Sequence, residues 1–482
     1  MSVSTRVTGR RGWGLRQPAP DRVLKPSPEP PSASSPARPL WRALLRFLIP
    51  LMASNILQSL SGTVTSIYLG RMLGVSALAA VSAFFPILFF LVSFLIGFAG
   101  GPTVVIGQAY GERDAGRVRR VAGTMLTVSA LAGCAIALLC SLFAHAILAA
   151  IGTPAALLPE ALVYGRVVFL FMPVLFVYLA YTTVLRGIGD SRTPLYALCL
   201  STAVSLVLTP AFIRGWAGLP RLGVASGAWA AVIAYLLALG ALGLYLRRAG
   251  SLLAPNRALF AALGLDWPIL KLLLRIGLPT GVQLVMVSLS EIAIVAFVNQ
   301  FGADAIAAYG IGNQIINYVQ FPAISVGIAA SVFVAQAVGA GRPELLPRIA
   351  RSALVLGLAI GGVLIAAVYL FARDLVAWFT ADPQAAAIGY RLLLLTMWSY
   401  LVFGASSVLS GVMRGTGTVL WPTALSIAVI WGVEVPTAWL LSRRLGIDGV
   451  WLGYPAAFCA GLLLVAVYYA AVWRRRSHAR LR

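Results

Sequence analysis

Fourteen acidic residues stand among 482, and only Glu291 and Glu434 fall well inside long apolar runs. Asp21 and Glu29 lie near the amino terminus, and the other acids sit at the edges of such runs. An ionisable group within a bilayer is costly, so it usually marks an ion path or a binding site. Apolar surroundings favour the protonated carboxyl. Such a group can hold a proton until a ligand or a change of shape expels it. Glu291 follows Leu284-Val-Met-Val-Ser-Leu-Ser290. Glu434 stands two residues before Pro436, whose missing N–H frees a backbone carbonyl one turn earlier. The plainer reading is a neutral carboxyl hydrogen-bonded to a neighbouring helix, and at Glu434 a structural bond at a kink. The sequence leaves both readings open.

Amides come next. Asn313, Asn317 and Gln320 recur at helical spacing, on one side of a helix, with Gln314 and Tyr318 beside them. Asn55, Ser59 and Gly62 share another face, and Gln283 lies on the same run as Glu291. Amides at membrane depth must face protein or water. They either line a wet cleft or bond between helices. Trp431, with Tyr68, Phe84, Phe85, Tyr181, Tyr318 and Trp398, offers faces on which a cationic or aromatic ligand can stack, although packing and interface belts account for most such rings. Cys134, Cys140, Cys199 and Cys459 show no metal or disulfide spacing, and His145 and His478 are too few for a histidine-ligated enzyme site. There is no Gly-x4-Gly-Lys-Ser/Thr loop to hold ATP. No cofactor is expected beyond a coupling ion, H+ or Na+, and no enzymatic activity.

These residues need a membrane around them. Hydrophobic types make up 60% of the chain, charged types 11%, and the mean hydropathy is +0.91. A soluble domain carries about 25% charged residues. The apolar runs are continuous rather than alternating, which selects helices over a transmembrane barrel. Twelve spans are expected, at 44–68, 76–99, 121–147, 161–185, 194–213 and 224–246, then 270–299, 304–338, 350–379, 385–412, 420–441 and 447–473. The expected organisation is a disordered basic tail (1–43), an N-lobe (44–247), a linker (248–268), a C-lobe (269–473) and a basic tail (474–482). The net charge of +23 resides in tails and loops, so nucleic acid is not an expected partner. Arginines crowd the loops after spans 2, 4 and 8 and the linker, which places both termini in the cytoplasm by the positive-inside rule. The expected setting is a prokaryotic inner (plasma) membrane, with lipid around the chain.

The two halves repeat. Gly74 pairs with Gly302, Gln108 with Gln336, Gly111 with Gly339, and Arg186-Gly187 with Arg414-Gly415, at one offset of 228 (302−74, 336−108, 414−186). An even number of spans per repeat makes the halves parallel, related by an axis along the membrane normal. The fold class is therefore an all-α membrane protein of twelve transmembrane helices in two parallel six-helix pseudo-symmetric lobes. Two such lobes leave a central cleft. A chain carrying both needs no second copy, so a monomer is expected.

Several segments resemble the multidrug and toxic compound extrusion (MATE) family. They are Leu69-Gly-Arg-Met-Leu-Gly74, Gly107-Gln-Ala-Tyr-Gly111, Leu185-Arg-Gly-Ile-Gly189, and their second-half counterparts Ala335-Gln-Ala-Val-Gly339 and Met413-Arg-Gly-Thr-Gly417. The resemblance spans residues 44 to 473. It implies export of small organic, often cationic and amphipathic compounds against inward proton or sodium flow. The sequence departs from the family where many members carry an aspartate in span 1. Thr65 occupies that position in Val64-Thr65-Ser66-Ile67. Thr65 takes up no proton at neutral pH, though its hydroxyl can ligate sodium, so coupling is expected in the C-lobe, at Glu291 and Glu434. The rival reading is a lipid-linked precursor flippase of the same superfamily. Such flippases often hold anionic headgroups with basic residues in the cavity, which are scarce inside these spans. Arg186 and Arg414 read as membrane-surface anchors.

Overall fold

The computed structural model describes residues 40–150, 158–380 and 382–475, apart from some side chains between 75 and 98, and at 150 and 217. The expectations for residues 1–39 and 476–482 lie outside the described residues. Among the described residues, eleven helices are long and apolar enough to span a bilayer, and a bent pair makes a twelfth. They are α1 (Leu40–Leu73), α2 (Val75–Gly111), α3 (Ala115–Leu142), α4 (Leu158–Gly187), α5 (Arg192–Arg214) and α6 (Ser226–Arg248). The second half holds α7 (Trp267–Asn299), α8 (Ala303–Gly339), α9 (Leu346–Leu370), α10 (Pro383–Thr396 and Ser399–Gly415, bent by 47°), α11 (Leu420–Leu445) and α12 (Gly453–Ala471). The chain is all-α over the described residues, as the continuous apolar runs require.

The repeat is visible in the turns. Gly74 and Gly302, at the α1–α2 and α7–α8 corners, both have φ of 93°. Gly189 and Gly417, after α4 and α10, have φ of 90° and 88°. A side chain is strained at such angles, so the glycines recur because the same turn recurs.

Because every span crosses once, the start of α1, the linker and the end of α12 share one face, here the terminal face. The opposite one is the far face. Among the described residues, four buried cores divide the bundle between these faces. Toward the terminal face, Leu273 and Ile276 of α7 join the N-lobe core of Val105, Val121 and Val184. Reciprocally, Leu44, Leu48 and Leu51 of α1 join the C-lobe core of Val334, Val338 and Val412. Toward the far face each lobe has its own core, one around Phe169 and Met172, the other around Leu393 and Trp451. The lobes are thus interlocked at the terminal face, and no core among the described residues joins them beyond it.

The linker is not a loose tether. Arg257–Ala261 forms a short helix capped by Asn256, whose side chain accepts from the Leu259 N–H at 3.0 Å. Leu253, Ala254 and Leu259 are buried in the N-lobe core. Tyr181 donates its hydroxyl proton to the Leu253 carbonyl, and Thr127 accepts from the Gly264 N–H at 3.1 Å.

Candidate functional site

Glu291 and Glu434 come together between α7 and α11. The two carboxyls lie within electrostatic reach of each other. Tyr309 of α8 and Tyr400 of α10 are within reach of both, and Tyr454 of α12 is within reach of Glu434. The Tyr309 and Tyr454 hydroxyls are hydrogen-bonded at 3.2 Å. Tyr309 stacks on Trp451 with centroids 5.8 Å apart and planes 5° from parallel. Five C-lobe helices therefore contribute to one acidic, phenol-rich cluster.

The two acids differ in setting. Glu434 is 6% exposed, whereas Glu291 retains open surface although protein surrounds its carboxyl on most sides. No protein hydrogen bond holds either carboxyl among the described residues, so the structural bond at a kink is not the arrangement seen. A local feature that sequence reasoning missed sits beside them. Ile430–Glu434 is a single π turn ending at Glu434, immediately before Val435-Pro436. Pro436 cannot donate to the preceding turn, and the helix absorbs the defect by widening. Such turns recur at functional sites. The Glu-x-Pro pattern was the signal available. Two carboxylates within electrostatic reach repel until one is protonated or a cation neutralises the charge. The open surface of this cluster lies at Glu291.

The remaining candidates separate. Asn313, Asn317 and Gln320 on α8 are half-buried, and no hydrogen bond ties them to another helix among the described residues. Trp431 lies in the π turn and is 40% exposed. Asn55 of α1 donates to the Ser325 hydroxyl of α8 at 3.1 Å, a bond between lobes. Thr65 returns its hydroxyl to the Ser61 carbonyl at 2.9 Å and packs beside Gly227 of α6. Tyr181 is committed to the linker, away from the acidic cluster. The side chains of Phe84 and Phe85 lie outside the described part of the structure.

Gln283 leads to a second polar group and a correction. Its carbonyl oxygen accepts from Arg414 Nη2 at 2.6 Å, and its amide donates to the Ser426 hydroxyl at 2.8 Å. Arg414 is thus turned inward rather than out to the membrane surface, and its Nε is buried without a hydrogen-bond partner. Arg186, its counterpart, also has a buried, unpartnered Nε. Sequence reasoning read both as surface anchors because each stands at a helix end. Their inward course depends on helices distant in sequence. Arg391, by contrast, is largely exposed and pairs with Asp448.

The comparisons with known proteins agree with this architecture. The model of the MatE family matches residues 50–211 and 279–440, one copy per half. The chain is 44% identical over 461 residues to the probable multidrug resistance protein YoeA of Bacillus subtilis, covering 95% of this chain and 100% of that protein. It is 24% identical over 444 residues to the probable multidrug resistance protein NorM of Thermotoga maritima, covering 90% and 94%. In fold it is similar to a crystal structure of the Vibrio cholerae MATE transporter VcmN in the bent form, with TM-score 0.81, 19% identity, and coverage of 90% and 97%. It is also similar to an outward-facing multidrug resistance MATE transporter of the MOP superfamily, with TM-score 0.82, 22% identity, and coverage of 90% and 97%.

Proposed function

Because this chain belongs to the MatE family of multi-pass membrane transporters, we propose that it is a secondary antiporter. It exports small organic, cationic or amphipathic molecules in exchange for protons or sodium by alternating access. The terminal face is the cytoplasmic one, as its arginine-rich loops indicate, and the cleft between the separate far halves opens outward. The observation that carries this reading is the pairing of Glu291 with Glu434 among three tyrosines, with open surface at Glu291.

In the outward-open state, a proton or sodium ion enters past Glu291 and neutralises the pair. Neutralisation removes the repulsion and lowers the cost of burying the cluster, which favours closure of the far side. The α8 amides and Trp431 form the wall against which the exported molecule rests. Substrate arriving from the other side then competes with the bound cation. The amphipathic cargo also accords with the resistance proteins among its relatives.

The test is dye efflux from proteoliposomes with an imposed pH or sodium gradient, which also identifies the coupling ion. Glu291→Gln and Glu434→Gln keep the side-chain shape and remove the charge. Gradient-driven export is expected to fall by at least about tenfold in one or both, since a cation would lose a charge-assisted ligand. Export by both variants at the wild-type rate, at matched protein levels, would refute the assignment.

A further inference from the structure

The duplicated Gln-x-x-Gly and Arg-Gly motifs have no part in the acidic cluster, yet they meet each other across the lobes. Gln108 of α2 donates from Nε2 to the Gly415 carbonyl of α10 at 3.2 Å. Gln336 of α8 donates from Nε2 to the Gly187 carbonyl of α4, also at 3.2 Å. Donors and acceptors are both related by the repeat offset (336−108 and 415−187, each 228). These are one interaction made twice about the pseudo-twofold axis. Each bond runs from one lobe to the other, so neither helps hold its own lobe together.

The glycines of the same motifs let the helices approach. A Cβ on Gly339 would collide with the Gln108 carbonyl, and one on Gly111 with the Gln336 carbonyl. Both obstacles are backbone atoms that no rotamer change relieves. A Cβ on Gly107 would lie 2.9 Å from the Ala335 methyl. The α2 and α8 ends therefore cross almost backbone to backbone at the terminal face. Gln108 is fully buried there.

A counterweight sits one residue before each acceptor. Arg186 and Arg414 carry buried Nε groups without partners. A buried donor without an acceptor is expensive, a cost that water reaching it would relieve, although Arg414 keeps its Nη2 bond to Gln283. The glutamine bonds favour closure and the arginines oppose it. A two-state gate requires terms that favour each of its states.

We propose that Gln108 and Gln336 form a twofold clamp that closes the terminal side of the pathway and breaks at each turnover. Arg186 and Arg414 are the groups that bias it toward opening. The inference rests on the alternating-access reading above and assigns that motion a specific latch. The two bonds share donor, acceptor and length but differ in burial, Gln108 being fully buried and Gln336 only partly.

The test is a distance measurement by double electron–electron resonance on the full chain in lipid nanodiscs. Spin labels go on Arg192→Cys and Leu420→Cys, exposed counterparts in the two lobes, with Cys134, Cys140, Cys199 and Cys459 replaced by serine. Gln108→Leu and Gln336→Leu should each raise the ratio of long to short distances about fivefold, and the double variant about twenty-five-fold, as expected for neutral hydrogen bonds. Arg186→Met should move the ratio the opposite way, a sign that mere loosening of the fold would not give. If wild type shows both distances and the glutamine variants leave the ratio unchanged, or only one of them acts, the clamp is overturned. If wild type shows a single distance under every gradient and substrate, the alternating-access reading fails, and the clamp with it.

Discussion

A methyl group placed at Gly107 tests whether the seam between lobes is a working surface. In Gly107→Ala the added Cβ would stand 2.9 Å from the Ala335 methyl, and ordinary contact begins at 3.4 Å. The helices must part by about 0.5 Å (3.4−2.9) to reach ordinary contact. The clamp bond beside it is 3.2 Å long and has about 0.3 Å of slack before it exceeds about 3.5 Å and ceases to count. The splay is larger than the slack, so one methyl should cost the clamp its bond. Gly133→Ala is the control. Its Cβ would lie 2.6 Å from Pro173 Cα, within the N-lobe, where parting the lobes gives no relief. Overpacking of that kind costs about 1–3 kcal/mol, set against about 1 kcal/mol that alanine gains over glycine in a helix. Hydrogen exchange and thermal unfolding in lipid read the two outcomes. Gly107→Ala should speed exchange at the α2 and α8 ends near Gly111 and Gly339 while changing the unfolding midpoint little. Gly133→Ala should lower the midpoint and leave that seam as protected as in wild type. Equal losses of midpoint, with no selective change at the seam, would refute the reasoning.

Three further outcomes follow from named contacts. Pro436→Ala restores the missing N–H, so the π turn should revert to regular helix and rotate Glu434 away from Glu291. Export should fall by at least about tenfold while thermal stability holds or rises, because the substitution removes a helix defect. Gly74→Val and Gly302→Val force a β-branched residue to φ of 93°. Each should lower stability by about 1–3 kcal/mol and by similar amounts, measurable as matched shifts in unfolding midpoint. A large asymmetry would mean that the two corners do not carry equivalent loads. Tyr181→Phe removes the hydroxyl bond to Leu253, and the loss of about 0.5–1.5 kcal/mol should appear as faster proteolysis in the linker with little change in export.

The sequence by itself determined the membrane setting, the spans and the duplication, because each depends on local composition or fixed spacing. The start of α1 lies a few residues before its expected position, and α2 runs on to Gly111 because the Gly107–Gly111 motif is helical, not a loop. The candidate acids were also legible, since a carboxylate within an apolar helix stands out without a structure. The Glu-x-Pro pattern at Glu434 foretold a backbone irregularity, though not that it would be a π turn.

What only the tertiary structure decided was who meets whom. Glu291 and Glu434 are 143 positions apart (434−291), and their pairing required α7 to lie beside α11. Arg414 read as a surface anchor because helix-end arginines usually are. Only the approach of α7 brought Gln283 within 2.6 Å and turned the guanidinium inward. The repeated glutamines were visible as a pattern but had no assignable purpose, because each bonds to a carbonyl in the other half. One-dimensional spacing records faces and periods within a helix. It cannot record contacts that exist only once two lobes close on each other.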